Sequence, residues 1–208
     1  TNEVCRCRYC SYCKAGKCSL EECCCMEERV KAHSCTFTEI LNHSFSNIKD
    51  SVFRYRLRIA AERGTIEKSC FLDKEHRCRF TKAISMSRRD DYPFIAQIYI
   101  LTATEKLWQS AEKCLKNKGI TYFTIPFHDL GENGYTFFSA AYDLEHGTSH
   151  TDIDDLSNDE VVDFDVFRVI TNAVVIAIYG MDAVKIAEKN RKRRKKHRKE
   201  RDNAGREA

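Results

Sequence analysis

A cysteine-rich segment near the N-terminus constrains the fold more than any other feature of the sequence. It spans residues 5–25 and places eight cysteines in 21 positions. The segment has no apolar run from which a hydrophobic core could form, so its order has to come from cross-links or from bound metal. Thiols stay reduced in the cytoplasm, and clustered cysteines there are more typical of metal ligands than of disulfides.

Two overlapping C-x2-C pairs supply the first half of the expected metal site, and Cys18 with one member of the triplet at 23–25 supplies the second. The backbone between two such cysteines can curl beneath a metal and point both thiolates at it. The sequence therefore predicts a structural site of four thiolates. The candidate ligands are Cys7, Cys10, Cys13, Cys18, Cys23 and Cys24.

A helix is predicted to follow the first cysteines. Ser19 and Glu22 form an S-x-x-E capping box, so this helix should begin near Leu20 and continue toward Ala32. The triplet would then lie in its first turns, where the positive end of the helix dipole stabilises thiolates. Side chains spaced about 100° apart cannot all face one metal. The pattern thus leaves open which of the three bind and whether two metals are held.

Zinc is the metal that the pattern favours. Structural zinc sites commonly use four cysteines, and C-x2-C is their usual half-site. Disulfides in a secreted protein and an iron–sulfur cluster use the same residue type and remain alternatives, although no ferredoxin spacing is present.

The composition outside this segment indicates a mainly α-helical protein. The chain has 208 residues with 42% hydrophobic residues, but only two prolines and eight glycines, which favours helices over a turn-rich β fold. The charge is uneven: residues 1–64 carry a net +3, residues 65–187 a net −6 and residues 188–208 a net +7. Basic character therefore belongs to the two ends.

Residues 36–63 are predicted to form one long helix, because apolar residues recur at three- and four-residue steps and Gly64 offers a C-terminal stop. Its basic side chains suggest either a phosphate-contacting surface or the solvated face of an amphipathic helix, and we favour the second. They are Lys49, Arg54, Arg56, Arg58 and Arg63.

The middle of the chain predicts three further elements. Asp73 should cap a helix whose first turn contains His76, which we expect to be a structural, hydrogen-bonded histidine. Residues 94–101 follow Pro93 at a helix N1 position and form a buried helix, with a strand as the alternative. Thr104 should cap a helix that continues to Lys118.

Residues 120–127 are the best strand candidate, with Pro126 placing the strand at an edge. Residues 135–145 should form a helix ended by Gly147. The His- and Asp-rich residues 146–155 are interpreted as a solvated loop with a helix cap. Residues 165–179 should be the central buried helix. The scattered Cys35, Cys70, Cys78 and Cys114, together with Trp108, are predicted to be core residues.

The C-terminal segment 189–201 contains ten Lys or Arg among 13 residues and no apolar residue. Such a block cannot pack into a core, and it suits non-sequence-specific contact with DNA or RNA phosphates. A solubility tail or a contact for an acidic partner is the rival interpretation. The predicted phosphate-contacting residues are Lys189, Arg191, Lys192, Arg193, Arg194, Lys195, Lys196, Arg198, Lys199 and Arg201.

Neither a nucleotide-binding nor a hydrolase motif is present, and no nucleophile, base and oxyanion donor come together in the sequence, so no enzymatic activity is predicted. The N-terminus lacks the apolar h-region of a secretory signal. The longest apolar run, residues 173–179, is far shorter than the roughly 20 residues of a membrane span. We therefore expect a cytoplasmic protein without membrane contact.

Three stretches together resemble a known group of sequences. They are C-x-L-E-E-C-C-C-M-E-E-R at 18–29, C-F-L-D-x-E-H-R-x-R-F at 70–80 and F-I-A-Q-I-Y-I-L-T-A-T-E-K-L-W at 94–108. They resemble an uncharacterised protein family encoded in integrative and conjugative elements of clostridia-type bacteria. Residues 71–179 are also similar to a small stand-alone domain of unknown function from these bacteria. The resemblance implies a cytoplasmic bacterial setting and an association with mobile DNA, but no activity or functional residues.

The sequence thus predicts a mainly α protein with at most a short β element. We expect a zinc knuckle and following helix at 1–33, a helical core at 34–182 and a basic helix or disordered tail at 183–208. The expected function is that of a zinc-binding accessory protein of a mobile element that contacts nucleic acid through the tail. The alternative is a protein–protein interaction module of conjugation or replication machinery that does not bind nucleic acid.

Overall fold

The computed structural model describes residues 25–33, 35–66, 70–116 and 119–184. In these ranges the protein is mainly α-helical, as the composition predicts, with one two-stranded antiparallel sheet. The helices are α1 (Met26–Lys31), α2 (Phe37–Ser44), α3 (Ser51–Ile66), α4 (Lys74–Met86), α5 (Tyr92–Leu101), α6 (Glu105–Glu112), α7 (Gly131–His146), α8 (Ile153–Ser157) and α9 (Phe164–Tyr179). The strands are β1 (Leu115–Lys116) and β2 (Gly119–Ile120), and Tyr122–Thr124 form a 3₁₀ turn.

Helices α5, α7 and α9 pack against one another and form the centre of the core. Helix α5 is apolar on all sides, and its residues from Ile98 to Leu101 are almost completely buried. Helix α9 is the second buried helix, as the sequence predicts. Helices α2 and α3 cover α9, and α4 and α6 cover α5. A helix that is apolar all round has to be enclosed in this way.

Side-chain caps fix where several helices begin. Asp73, Asp91 and Thr104 each accept a hydrogen bond from a backbone N–H in the first turn of α4, α5 and α6. The predicted caps at Asp73 and Thr104 are therefore confirmed, as is the helical state of 94–101. Pro93 is the second residue of α5 rather than the first, because Asp91 caps the helix one residue earlier than predicted.

The predicted helix over 36–63 is wrong, because the structure has two helices there. Helix α2 ends at Ser44, and α3 begins at Ser51 and continues through Gly64, which therefore does not end it. Asp50 starts α3, since its Oδ1 accepts the backbone N–H of Phe53 at 2.7 Å. The same oxygen accepts a hydrogen bond from the Ser157 hydroxyl at 2.9 Å. A contact across more than 100 residues of sequence thus helps to place the break.

Within the described residues, the helix predicted from Leu20 to Ala32 is α1, which spans Met26–Lys31. Cys25 immediately precedes α1 and has extended backbone angles (φ −74°, ψ 104°), so the prediction is wrong at this residue. Cys25 is exposed, whereas Met26 and Val30 are buried in the core. The apolar residues after the cysteines therefore decide where α1 begins.

The helix from Thr104 and the strand at 120–127 are both shorter than predicted. Helix α6 ends at Glu112, and the following residues form β1, which pairs Leu115 with Ile120 and Lys116 with Gly119. The aromatic residues after β2 form a 3₁₀ turn instead of a strand. The reason is the buried Tyr122, whose hydroxyl donates to Gln97 Oε1 at 2.9 Å and lies 3.1 Å from the Ala141 carbonyl.

Candidate functional sites

The predicted zinc ligands and phosphate-contacting residues lie outside the described residues. The former are Cys7, Cys10, Cys13, Cys18, Cys23 and Cys24, and the latter are the ten Lys and Arg residues of 189–201. Within residues 25–33, 35–66, 70–116 and 119–184, no group of three or more His, Cys, Asp or Glu side chains is placed to hold a metal. In the same ranges, no helix combines the length and the apolar character needed to span a membrane.

Helix α1 connects the cysteine-rich segment to the core. Arg29 Nη2 lies 2.5 Å from Glu39 Oε1 on α2. Glu39 also completes a capping box with Thr36. Burial raises the pKa of the Glu39 carboxyl, but the hydrogen bonds from Thr36 and Arg29 outweigh burial and hold this pKa below its usual range. The carboxylate is therefore ionised at neutral pH. Helix α1 is joined to the core by the ion pair between Arg29 and Glu39 and by its buried apolar residues Met26 and Val30.

The scattered cysteines are mostly core residues, as predicted. Cys35, Cys70 and Cys114 are buried, and burial raises the pKa of the Cys35 thiol to about 11. A thiol of this kind stays protonated at neutral pH and is a poor metal ligand. The prediction is wrong for Cys78, which is exposed on α4.

The basic residues of α3 do not share one solvated face. Arg56 is buried, donates from Nη2 to the Val162 carbonyl and lies with its Cζ 4.7 Å from the centre of the Phe167 ring. Arg54 donates to the Phe45 carbonyl at 3.3 Å. The interpretation as a solvated face is therefore wrong at Arg56, because this side chain fastens α3 to α9. A phosphate-contacting surface on α3 would lack Arg56, because its guanidinium is buried against Val162 and Phe167.

His76 is a structural residue, as predicted. Its ring is fully buried beside Tyr99 and Phe71. The backbone N–H of Leu72 donates to its Nδ1 at 3.2 Å, so the proton lies on Nε2, which donates to the Tyr99 carbonyl at 2.8 Å. Burial lowers the pKa of His76 to about 4. The histidine thus links α4 to α5 in its neutral form.

The loop over 146–155 is organised around Asp143 at the end of α7. This carboxylate accepts the Thr148 hydroxyl at 2.6 Å and the backbone N–H groups of His150 and Thr151 at 3.0 and 2.9 Å. Partial burial raises the pKa of Asp143, but these hydrogen bonds lower it further, so that it lies below its ordinary value. Asp152 caps α8 with a capping box. The loop is therefore an exposed connection with a helix cap, as predicted.

An aromatic cavity of about 150 Å³ lies on the outer face of α7. Three of its aromatic residues follow one another at steps of three and four residues along this helix, which also supplies Ser139, and loops on either side supply the rest. The ring of Phe127 stacks on that of Phe138 with 5.4 Å between centroids. Sequence reasoning missed this site, although the helical spacing of the aromatic residues was visible. The cavity is lined by Phe127, Tyr135, Phe138, Ser139, Tyr142 and His150.

The cavity lies in a long acidic stretch of the chain. Residues 119–167 contain 11 Asp or Glu and no Lys or Arg. Asp129 and Glu132 are exposed shortly before Tyr135, and Asp152 and Asp154 are exposed just after His150. Such a surface repels phosphate groups and attracts cations.

Comparison of the chain with models of protein families, with curated proteins and with solved structures finds no match.

Proposed function

We propose that the chain is a cytoplasmic zinc-binding accessory protein of a bacterial mobile element that contacts nucleic acid through its basic C-terminal segment. In this proposal the zinc is structural and orders the cysteine-rich segment, which α1 joins to the helical core. The segment 189–201 supplies contacts to phosphate without reading sequence.

The observation that carries this proposal is the separation of charge along the chain. Residues 119–167 have 11 acidic residues and no Lys or Arg, whereas ten of the 13 residues at 189–201 are basic. The acidic stretch disfavours the approach of DNA or RNA to its part of the core. The tail therefore offers the strongest concentration of phosphate contacts in the chain.

The metal proposal predicts about one or two zinc ions per full-length chain purified without chelator, measured by elemental mass spectrometry. The double substitution Cys7→Ser/Cys10→Ser should remove most of the zinc, because it removes one C-x2-C half-site of the proposed four-thiolate site. The control is Cys78→Ser, which changes an exposed cysteine outside the cluster and should leave the zinc content unchanged. Iron with sulfide in place of zinc, or metal-free protein with oxidised thiols, would contradict the proposal.

The nucleic-acid proposal predicts that full-length protein binds a fluorescently labelled double-stranded DNA 20-mer with steep salt dependence, measured by fluorescence anisotropy. The triple variant Lys192→Gln/Lys195→Gln/Lys196→Gln should reduce the slope of log K against log salt by about 3, since each lost phosphate contact removes about 0.9. Its control, Lys106→Gln/Lys113→Gln/Lys116→Gln, makes the same charge change at exposed core positions and should leave the slope nearly unchanged. Equal slopes in the two variants would refute the role of the tail.

A protein–protein interaction module is the second candidate function. The specific observation in its favour is the aromatic cavity on α7, because exposed aromatic rings are typical of protein-binding surfaces. It predicts that full-length protein has no appreciable affinity for the 20-mer at physiological salt.

A further inference from the structure

Two rings of the aromatic cavity are substantially exposed to solvent. The side chains of Tyr135 and Phe127 are 51% and 37% exposed. Tyr142 stacks on His146 with 3.9 Å between centroids and meets His150 edge-on at 5.4 Å. Together these rings form a concave aromatic wall whose one non-aromatic lining residue is the buried Ser139.

The chemistry of this wall selects a cation. The face of an aromatic ring carries partial negative charge and attracts a guanidinium or ammonium group, most strongly where water is partly excluded. Elsewhere, this protein already uses such contacts. Arg63 lies with its Cζ 4.5 Å from the centre of the Phe164 ring, and Arg89 lies 5.1 Å from that of Phe94. The cavity offers several rings, and the 49-residue stretch that contains it supplies no Lys or Arg of its own.

We propose that the aromatic cavity is a binding site for arginine side chains and that the basic segment 189–201 of the same chain occupies it. The segment carries five arginines and five lysines, and it is the densest cationic stretch in the sequence. Planar guanidinium groups stack on aromatic faces, whereas the ammonium group of lysine stays strongly hydrated. The acidic residues on both sides of the cavity complement the remaining charges of the segment.

The path of the chain allows this contact. The described chain ends at Val184, shortly after Gly180. Gly180 has a φ of 76°, and it lies so close to the Tyr92 ring that a side chain at this position would collide with the ring. Tyr92 begins α5. Beside it, Arg89 Nη1 lies 3.4 Å from Glu145 Oε1 near the end of α7, one turn beyond Tyr142. Gly180, four residues before Val184, thus lies beside the start of α5, and the Arg89–Glu145 contact connects this start to the end of α7 that carries Tyr142. The 17 residues from 184 to 201 span up to about 58 Å when extended.

Photo-cross-linking of the full-length chain, without nucleic acid, tests the proposal. Benzoylphenylalanine replaces Tyr135 in one variant and Tyr55 in the control, since Tyr55 is similarly exposed at 57% but lies 5.2 Å from the Arg58 Cζ. Peptide mapping by mass spectrometry should find the segment 189–201 cross-linked to position 135 at least about fivefold more than to position 55. Equal yields, or tail cross-links found only between two copies of the chain, would overturn the proposal.

A charge-conserving variant tests the preference for arginine. Replacing all five arginines of the segment by lysine keeps its charge but removes the guanidinium planes, and it should lower the yield at position 135 by about threefold. An undiminished yield would overturn the assignment of the cavity to arginine. The inference does not depend on nucleic-acid binding, because the cross-linking detects the docked tail whether or not the tail also contacts phosphate.

Discussion

The Phe167→Ala variant is expected to lose about 4 kcal/mol of unfolding free energy, since removal of a buried phenyl ring costs 3–5 kcal/mol. Phe167 is fully buried in α9, and its ring meets that of Phe53 on α3 edge-on at 5.3 Å. The buried Arg56 guanidinium lies over the same ring. Alanine would leave a cavity between α3 and α9 and would remove the aromatic partner of a buried charge.

Urea unfolding followed by circular dichroism measures this loss, and Phe123→Ala is the matched control. Phe123 is 90% exposed, so the same change of side chain there should cost less than about 0.5 kcal/mol. Should Phe167→Ala fail to fold, Phe167→Leu keeps most of the volume and should lose about 1.5 kcal/mol. Comparable stabilities of the variants at 167 and 123 would show that α9 is not the centre of the core.

The buried helices were predictable because their own residues determine them. Helix α5 consists of almost uninterrupted apolar residues behind the cap Asp91, and most of the residues of α9 behind the cap Asp163 are apolar. Burial of such helices follows largely from composition, since most of their surface is apolar. The order of these helices along the chain, together with their caps, allows most of the described fold to be predicted.

The errors arise where a distant contact overrides the local pattern. Apolar residues continue at helical spacing through Phe45 and Ile48, so the apolar pattern hides the break between α2 and α3, and the local cap at Asp50 was overlooked. The break depends in part on the hydrogen bond between Asp50 and Ser157. The residues after Ile120 have strand propensity, but Tyr122 turns inward to Gln97 and α7. Strand propensity is a poor guide to structure where a buried polar group requires a particular hydrogen-bond partner.

The aromatic cavity was only partly visible in the sequence for a related reason. The spacing of Tyr135, Phe138 and Tyr142 places them on one face of a helix, but a stripe of this kind usually faces the core. The core instead takes the opposite face, where Phe137 and Ala141 are buried. Phe127 and His150 reach the cavity from loops 23 positions apart in sequence. Their meeting depends on contacts of each loop with α7, where Phe127 stacks on Phe138 and His150 contacts Asp143.

His76 makes the folded protein sensitive to moderate acid. The neutral ring accepts the Leu72 N–H and donates to the Tyr99 carbonyl, and protonation would place an N–H opposite the Leu72 donor. The ring is fully buried beside Tyr99 and Phe71, and the nearby Arg79 and Arg168 add positive charge. Burial, followed by these arginines, thus lowers the pKa of His76 to about 4, from 6.5 in an exposed histidine.

Because the unfolded chain binds this proton at higher pH than the folded chain, the stabilisation is complete above about pH 6.5 and is lost as the pH falls to about 4. The difference in pKa corresponds to about 3 kcal/mol of unfolding free energy, measured by urea unfolding at intervals between pH 7 and pH 4.

In His76→Gln, stability at pH 7 should already be lower by about 1–2 kcal/mol, since glutamine cannot satisfy both partners. Its further loss toward pH 4 should be smaller than that of the wild type by about 3 kcal/mol. The control, His128→Gln at an exposed position, should follow the wild-type curve. If His76→Gln also follows it, protons taken up elsewhere on unfolding account for the acid sensitivity, and His76 is not its source.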